Sequence, residues 1–241
     1  MIIEARKVTK RFGGLVAVNE LDVAAEERAI LGLIGPNGAG KTTLFNMLAG
    51  YFAPDSGEIL FAGKNVAGLP PYQLCELGLA RTFQVTKPFV DNTVLENVMV
   101  GAFRRARSTR EAQRAAERIL ETLEFGHRMD ATGHELTVAE RKRLELARAL
   151  ATQPRVLLLD EPMAGLNATE KAHMLGLLRT IRDERGMTII VVEHDMKAVM
   201  TLCERVMLMH RGEKLLEGPP ADVASDPRAI SVYLGAEYAT A

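Results

Sequence analysis

The 241-residue chain contains no apolar run approaching the ~20 residues of a membrane-spanning helix. Its start, Met1-Ile-Ile-Glu-Ala-Arg-Lys, carries no signal-peptide apolar stretch. The expectation is a soluble protein that borrows a membrane-spanning partner if it works at a membrane. Cysteine is scarce: Cys75 and Cys203 lie far apart and follow no metal-ligand spacing, so they read as reduced core or surface thiols of a cytosolic protein. Charge of one sign is also missing. Thirty Lys and Arg against 31 Asp and Glu leave a net charge of −1, and bulk electrostatics therefore points to no nucleic-acid partner. There is no internal repeat and no low-complexity tract. A hydrophobic content of 47% is too high for disorder and sufficient for a core, in one large domain or two small ones.

What is present is Gly35-Pro36-Asn37-Gly38-Ala39-Gly40-Lys41-Thr42, which fits the phosphate-binding pattern G-x-x-x-x-G-K-[ST]. The apolar run Ala29–Ile34 before it reads as a buried strand. Thr43 to Ala49 after it reads as a helix stopped by Gly50. The pattern thus sits in the strand–loop–helix context it needs. Gly35, Gly38 and Gly40 allow the backbone to wrap closely around phosphate oxygens. Successive N–H groups and the helix N-terminus then face the anion, and Thr43 opens that helix. Lys41 supplies a point charge to the outer phosphates, and the Thr42 hydroxyl is a candidate Mg²⁺ ligand.

Elsewhere the residues up to about Glu27 alternate loosely and read as strands, with Gly13-Gly14 as a turn. Ser56 to Pro71 is strand and turn territory. Val156 to Leu159 and Met187 to Val192 are short continuous apolar runs of the kind buried on both faces of a parallel sheet. Ser108 to Glu124 reads as an amphipathic helix with Ala112, Ala115, Ala116, Ile119, Leu120 and Leu123 on one face and a Ser108/Glu111 capping box. Residues from about Val85 to Ala151 are mostly helical and interrupt the strand series. The fold class is therefore α/β, with an inserted helical subdomain.

Two strand ends carry candidate chemistry. Val156-Leu-Leu-Leu-Asp160-Glu161 ends in two carboxylates, and ligands of open parallel sheets lie beyond the carboxyl ends of strands. Asp160 can hold hydrated Mg²⁺, and Glu161 can act as general base on a water beside the γ-phosphate. Val191-Val-Glu193-His194-Asp195 closes the next strand, so His194 is expected to contact the γ-phosphate and orient Glu161 and water. His127, His134, His173 and His210 have no comparable position.

Together these residues resemble the nucleotide-binding subunits of ABC transporters, over nearly the whole chain. The resemblance implies a P-loop NTPase core with a mostly parallel sheet, an N-terminal antiparallel β subdomain and a helical subdomain at approximately 86–151, within a single ATP-binding domain spanning 1–241. In that family Gln84 of Arg-Thr-Phe-Gln matches the loop glutamine that senses Mg²⁺ and the membrane partner. Phe12 matches the aromatic that stacks on adenine. Leu136-Thr-Val-Ala-Glu140 stands where the family has its L-S-G-G-Q signature, and Ala164-Gly-Leu-Asn167 matches the loop that crosses the dimer interface. Thr137, Val138, Ala139, Glu140 and Asn167 are thereby implied to contact a partner subunit's nucleotide. Val138, Ala139 and Glu140 depart from the signature, but Thr137 and Glu140 form a capping box before an apolar helix, whose N-terminus still offers N–H groups to an anion. Arg141, Lys142 and Arg143 then read as a solvated basic face rather than a phosphate clamp.

A narrower resemblance, to the LivG-type branched-chain amino-acid importer ATPases, rests on Arg81-Thr-Phe-Gln, Asn92-Thr-Val-Leu-Glu-Asn-Val, Arg143-Leu-Glu-Leu-Ala-Arg, Glu193-His-Asp-Met-Lys and the tail Ser231-Val-Tyr-Leu-Gly. That branch also serves other polar solutes, including urea and short amides. It implies ATP and Mg²⁺ as cofactors and a second ATPase subunit, identical or different. It also implies two transmembrane permease subunits, an extracytoplasmic solute-binding protein, and a place on the cytoplasmic face of the inner membrane. A lipopolysaccharide-export ATPase is the nearest transport alternative. A non-transport ATPase acting on DNA or ribosomes would carry a long coiled coil or two cassettes, and neither is present. A binding module without turnover is disfavoured by the presence of both Glu161 and His194.

Overall fold

The computed structural model describes residues 1–84 and 86–234. Val85, where the helical stretch was expected to begin, and Gly235 of the tail motif lie outside the described residues. The strands are β1 (Ile3–Phe12), β2 (Leu15–Ala25), β3 (Ile30–Ile34), β4 (Ser56–Phe61), β5 (Lys64–Asn65), β6 (Leu79–Arg81), β7 (Val156–Asp160), β8 (Thr188–Val192), β9 (Arg205–His210) and β10 (Glu213–Gly218). The helices are α1 (Lys41–Leu48), α2 (Pro71–Leu77), α3 (Val94–Ala102), α4 (Thr109–Thr122), α5 (Val138–Ala151), α6 (Ala168–Arg185), α7 (Met196–Leu202), α8 (Pro220–Ser225) and α9 (Pro227–Leu234).

An antiparallel sheet of order β2-β1-β4-β5 lies beside a six-stranded sheet of order β10-β9-β3-β8-β7-β6. In the larger sheet every pair except β9–β10 is parallel. The β1–β2 connection is the expected Gly13-Gly14 turn, with Gly13 at φ +57. Strands β3, β7 and β8 are buried at every position, which is why they read as continuous apolar runs rather than alternating ones. Alternate side chains serve two cores. Leu158, Ile190 and Val192 pack with α1 and the antiparallel sheet, while Leu157, Leu159, Ile189 and Val191 pack with the helices on the other face.

Between β6 and β7 the described residues are mostly helical, as expected. Helix α3 starts at a full Thr93/Glu96 capping box. One turn later Asn97, fully buried, exchanges hydrogen bonds with the Phe89 backbone in both directions at 2.9 Å. The Asn92–Val98 motif is therefore a device for holding the chain onto α3 before it packs on α5. The α4 helix buries Ala112, Ala116, Ile119 and Leu120, with Leu123 at its C-cap. Its capping box is only half formed. Ser108 accepts from the Glu111 N–H, but the Glu111 carboxylate reaches one residue further back, to the Arg107 N–H at 2.8 Å.

Two glycines test this packing in opposite directions. A Cβ on Gly101 of α3 would sit 2.5 Å from the Arg148 carbonyl oxygen and 2.9 Å from the Ala151 side chain of α5. Gly176 of α6 is exposed, and a Cβ there meets nothing. Gly101→Ala is expected to destabilise the chain by about 1–3 kcal/mol through overpacking. Gly176→Ala is expected to stabilise it by up to about 1 kcal/mol through helix propensity. Urea unfolding midpoints compare the two, and shifts of the same sign would contradict the α3–α5 contact.

Candidate functional site

The phosphate-type loop leaves the carboxyl end of β3 and enters α1. A Cβ on Gly35 (φ +147) would collide with the Met209 carbonyl of β9, and one on Gly40 (φ +98) with the Ala17 carbonyl of β2. Only glycine therefore lets the loop lie against both neighbours. The β9–β10 turn supports it from below: the Gly212 N–H donates to the Ala39 carbonyl at 3.0 Å, and Asn19 of β2 donates to Gly212 at 2.9 Å. Pro36 accepts from the Ala39 N–H at 3.2 Å, which closes the turn around Asn37 and Gly38. The N–H groups of Gly38, Gly40, Lys41, Thr42 and Thr43 find no protein acceptor among the described residues, and α1 has no side-chain cap. Five unpaired donors around one curve of backbone form an anion cradle. The Lys41 ammonium bridges the Gly35 and Pro36 carbonyls at 2.6 and 3.0 Å across that curve. Burial lowers its pKa, opposed by the charges of Glu161 and Asp160.

The strand register brings the other two strand ends to the same level. Leu33 of β3 pairs with Val192 of β8, and Val192 pairs with Asp160 of β7. Asp160 is buried, and its Oδ2 accepts from the Arg81 guanidinium at 2.8 Å. Arg81 also donates to Asn46 of α1 and lies within 5.6 Å of the Phe45, Tyr51 and Phe83 ring centroids. Glu161 follows at φ +49, a left-handed backbone unusual for glutamate. Its N–H donates to the Val192 carbonyl at 3.0 Å. The Gln84 amide donates to Glu161 Oε2 at 2.9 Å, so the loop glutamine holds the candidate base. His194 Nδ1 stands 3.7 Å from Glu161 Oε1, close but beyond a hydrogen bond, with its ring mostly exposed. The buried Glu193 carboxylate staples that strand end: it accepts from the Met163 N–H at 2.9 Å and the His194 N–H at 3.2 Å. Burial raises its pKa.

Phe12, at the end of β1, is 42% exposed and edge-on to Phe52 at 5.3 Å, leaving ring surface free. Thr137 caps α5 with the expected full capping box to Glu140. Glu140 also pairs with Arg128 at 2.9 Å. Val138 is 56% exposed, Ala139 is half-buried, and a Cβ on Gly165 would be 3.5 Å from Val138. Asn167 caps α6 through Glu170. Thr137, Val138, Gly165 and Asn167 are thus exposed, and none of the partners named for them lies in the phosphate loop of the same chain.

Sequence reasoning misread one stretch. Arg141, Lys142 and Arg143 are half-buried rather than a solvated face. Lys142 Nζ donates to the Glu161 carbonyl at 2.9 Å. Arg143 donates to the Glu124 carbonyl and to His173, and lies 5.4 Å from the Phe125 ring centroid. The signal was available: Leu146 and Ala149 follow Lys142 at four and seven residues, Ala147 and Leu150 follow Arg143 likewise, and all four are buried. Arg81 was also missed as the partner of Asp160. A groove of about 700 Å³ opens beside these groups, lined by Thr42, Arg81, Gln84, Lys87, Glu145 and Arg148 among others.

Among the described residues no cluster of three or more His, Cys, Asp or Glu side chains is arranged to hold a metal ion. Mg²⁺ characteristically takes one or two protein ligands and completes its shell with water and substrate phosphates. The Thr42 hydroxyl beside the cradle and the Asp160 carboxylate, with Oδ1 outside the Arg81 pair, fit that pattern.

The sequence model described as "ABC transporter" matches residues 18–164, and that described as "Branched-chain amino acid ATP-binding cassette transporter" matches residues 213–239. The chain is 37% identical to the high-affinity branched-chain amino acid transport ATP-binding protein BraF of Pseudomonas aeruginosa, over 97% of this chain and 98% of that one. It is 39% identical to LivG of Salmonella typhimurium, a protein of the same description, over 93% and 94%. A solved nucleotide-free ATP-binding cassette from an ABC transporter superposes with a TM-score of 0.89 at 28% identity, covering 97% of this chain and 99% of that chain.

The cap of α5 has a measurable consequence independent of any ligand. Thr137→Ala removes the acceptor for the Glu140 N–H. It is expected to lower stability by about 0.5–2 kcal/mol, with Thr137→Ser recovering most of the loss. Equal unfolding midpoints for Ala and wild type would contradict the cap.

Proposed function

This chain belongs to the ABC transporter family, and from that membership we propose that it hydrolyses ATP to drive uptake of branched-chain amino acids or a related small polar solute. Hydrolysis itself follows from the family. The observation that carries the site is the curve of unpaired N–H groups at Gly38 and Gly40 to Thr43, two strands from Asp160-Glu161 and one from the β9–β10 turn. Gly35 to Thr43 hold the phosphates, with Lys41 leaving its carbonyl partners for the outer phosphates. Phe12 stacks on adenine. Mg²⁺, when bound, neutralises charge on the outer phosphate oxygens, and Thr42 and Asp160 are the groups that would hold it, with Gln84 nearby. Glu161 takes the proton of the attacking water, held by Gln84 and flanked by His194.

The chain acts as one ATP-binding domain over 1–241, with approximately 86–151 as its helical part. The exposed Thr137–Glu140 cap and Asn167 face the nucleotide of a second ATPase subunit. The groove beside Gln84, with exposed Tyr51, Phe83 and Val100 at its lining, is the docking surface for one of two permease subunits. No helix among the described residues is long and apolar enough to cross a membrane, so the membrane path belongs to the permeases and solute capture to an extracytoplasmic binding protein. The subunit then lies on the cytoplasmic face of the inner membrane. The match at 213–239 favours the branched-chain reading over lipopolysaccharide export.

Lys41→Ala is expected to abolish tight ATP binding in a fluorescent-nucleotide titration, since the loop loses its cation. Glu161→Gln is expected to keep binding, to slow hydrolysis by about 10²–10⁴-fold, and to accumulate an ATP-bound dimer on size exclusion. Unchanged affinity in the first variant or wild-type turnover in the second would refute the respective role. For the solute, cells lacking the chain are expected to lose high-affinity leucine, isoleucine and valine uptake; unchanged uptake would redirect the assignment to another solute.

A further inference from the structure

Lys142 is a half-buried cation that the reaction as described does not use. It lies on the first turns of α5, five residues beyond the Thr137 cap. The carboxylates of Glu145, Glu193, Glu161 and Asp160 surround it and oppose the burial that lowers its pKa. Yet among the described residues it forms no ion pair, and its ammonium is spent on a neutral acceptor, the Glu161 backbone carbonyl at 2.9 Å. The hydrogen bond to that carbonyl shows what its position accomplishes.

Glu161 needs such a restraint. At φ +49 it stands in the left-handed region, which is costly for a residue with a side chain, and unlike the other non-glycine residues found there it is not exposed. Four contacts hold it there. The N–H is bound to Val192 of β8, the carboxylate is bound by Gln84, and the carbonyl accepts from Lys142 and, at 3.1 Å, from the Ala164 N–H of the following turn. The first restraint comes from the sheet, the second from the loop after β6, the third from α5 and the fourth from the chain just after β7. The turn bond fixes the carbonyl locally; the Lys142 bond is the one that joins it to α5.

We propose that Lys142 is a positioning residue for ATP hydrolysis: by holding the Glu161 carbonyl it keeps the base aimed, and it ties that aim to α5, whose capped N-terminus carries the exposed Thr137–Val138 face. This rests on the reading of Glu161 as the base. A displacement of α5 at its exposed end is then transmitted through a single side chain to the catalytic carboxylate, with no change in the phosphate loop. Arginine at this position reaches the same carbonyl; methionine fills the volume without the bond.

The test uses the full-length chain, with its permease partners where turnover requires them. Lys142→Met is expected to lower kcat by about 10²-fold, the cost of a base about 1 Å out of place. Fluorescent-nucleotide affinity and KM are expected to stay unchanged, and Lys142→Arg to restore most of the rate. In a Glu161→Gln background, Lys142→Met is expected to cause no further drop in the residual single-turnover rate, since its effect passes through the group already removed. Wild-type kcat for Lys142→Met, or a full additional drop in the Glu161→Gln background, overturns the proposal; so does a loss confined to nucleotide affinity. If the methionine variant does not fold, Lys142→Gln, shorter but polar, is held to the same outcomes. Wild-type turnover in Glu161→Gln alone removes the base and the positioning role together. A slow Glu161→Gln with a fast Lys142→Met removes only the latter.

Discussion

Parallel pairing of β3 with β8, and of β8 with β7, is the constraint on which the site depends. It sets Leu33, Val192 and Asp160 side by side, so three strands release their chains at one edge of the sheet. The phosphate loop, the Asp160-Glu161 pair and His194 are consequences of that edge: Asp160 is the last paired residue of β7, Gly35 and Glu161 follow one residue beyond their ladders, and His194 two. A one-residue slip of β7 would turn Asp160 to the opposite face and exchange the two cores for each other's side chains. The total burial of β3, β7 and β8 makes such a slip costly and holds the geometry without any ligand.

Around that edge, charge is managed by pairing and by backbone contacts rather than by exposure. Asp160 and Arg81, with 7% and 9% of their side chains exposed, satisfy each other, and Arg81 is enclosed by three aromatic rings. Removing one partner of such a pair strands the other, a loss of about 3–5 kcal/mol in comparable cases. Glu193 spends its carboxylate on two backbone N–H groups, and Lys142 spends its ammonium on a carbonyl. These contacts tie the loops after β7 and β8 to one another and to α5. The only large unsatisfied polar surface described at the edge is the cradle of loop N–H groups, which is where an anion binds with least reorganisation.

The parts of the fold legible in the sequence are those with a single dominant cause. β3, β7 and β8 are continuous apolar runs because both faces are buried. The glycine pattern of the loop follows from close approach to Met209 and Ala17. The Thr137 and Asn97 devices are local, and the first was read correctly from Thr137 and Glu140 alone. What escaped was short or depended on tertiary contact. β6 has three residues and α2 has seven, too few for a period to emerge. The Arg81–Asp160 pair joins positions 79 residues apart. The 141–143 cluster looked solvated because its charge was weighed before its position on α5, whose next turns are buried almost all round. The hydrogen bond of Gln84 to Glu161 is likewise tertiary, between positions 77 residues apart.

The central claim is that one nucleotide is held at this common edge, by the loop on one side and the β7 and β8 ends on the other. A crystal structure of the chain with a non-hydrolysable ATP analogue and Mn²⁺ tests it most directly, because Mn²⁺ is located by its anomalous signal. The account predicts phosphate oxygens on the N–H groups of Gly38 to Thr43 and the Lys41 ammonium moved from the Gly35 and Pro36 carbonyls onto the outer phosphates. It also predicts Mn²⁺ beside Thr42 and Asp160, with Glu161 still at positive φ. A nucleotide bound elsewhere, with Lys41 still on those carbonyls and the loop donors unoccupied, would contradict it.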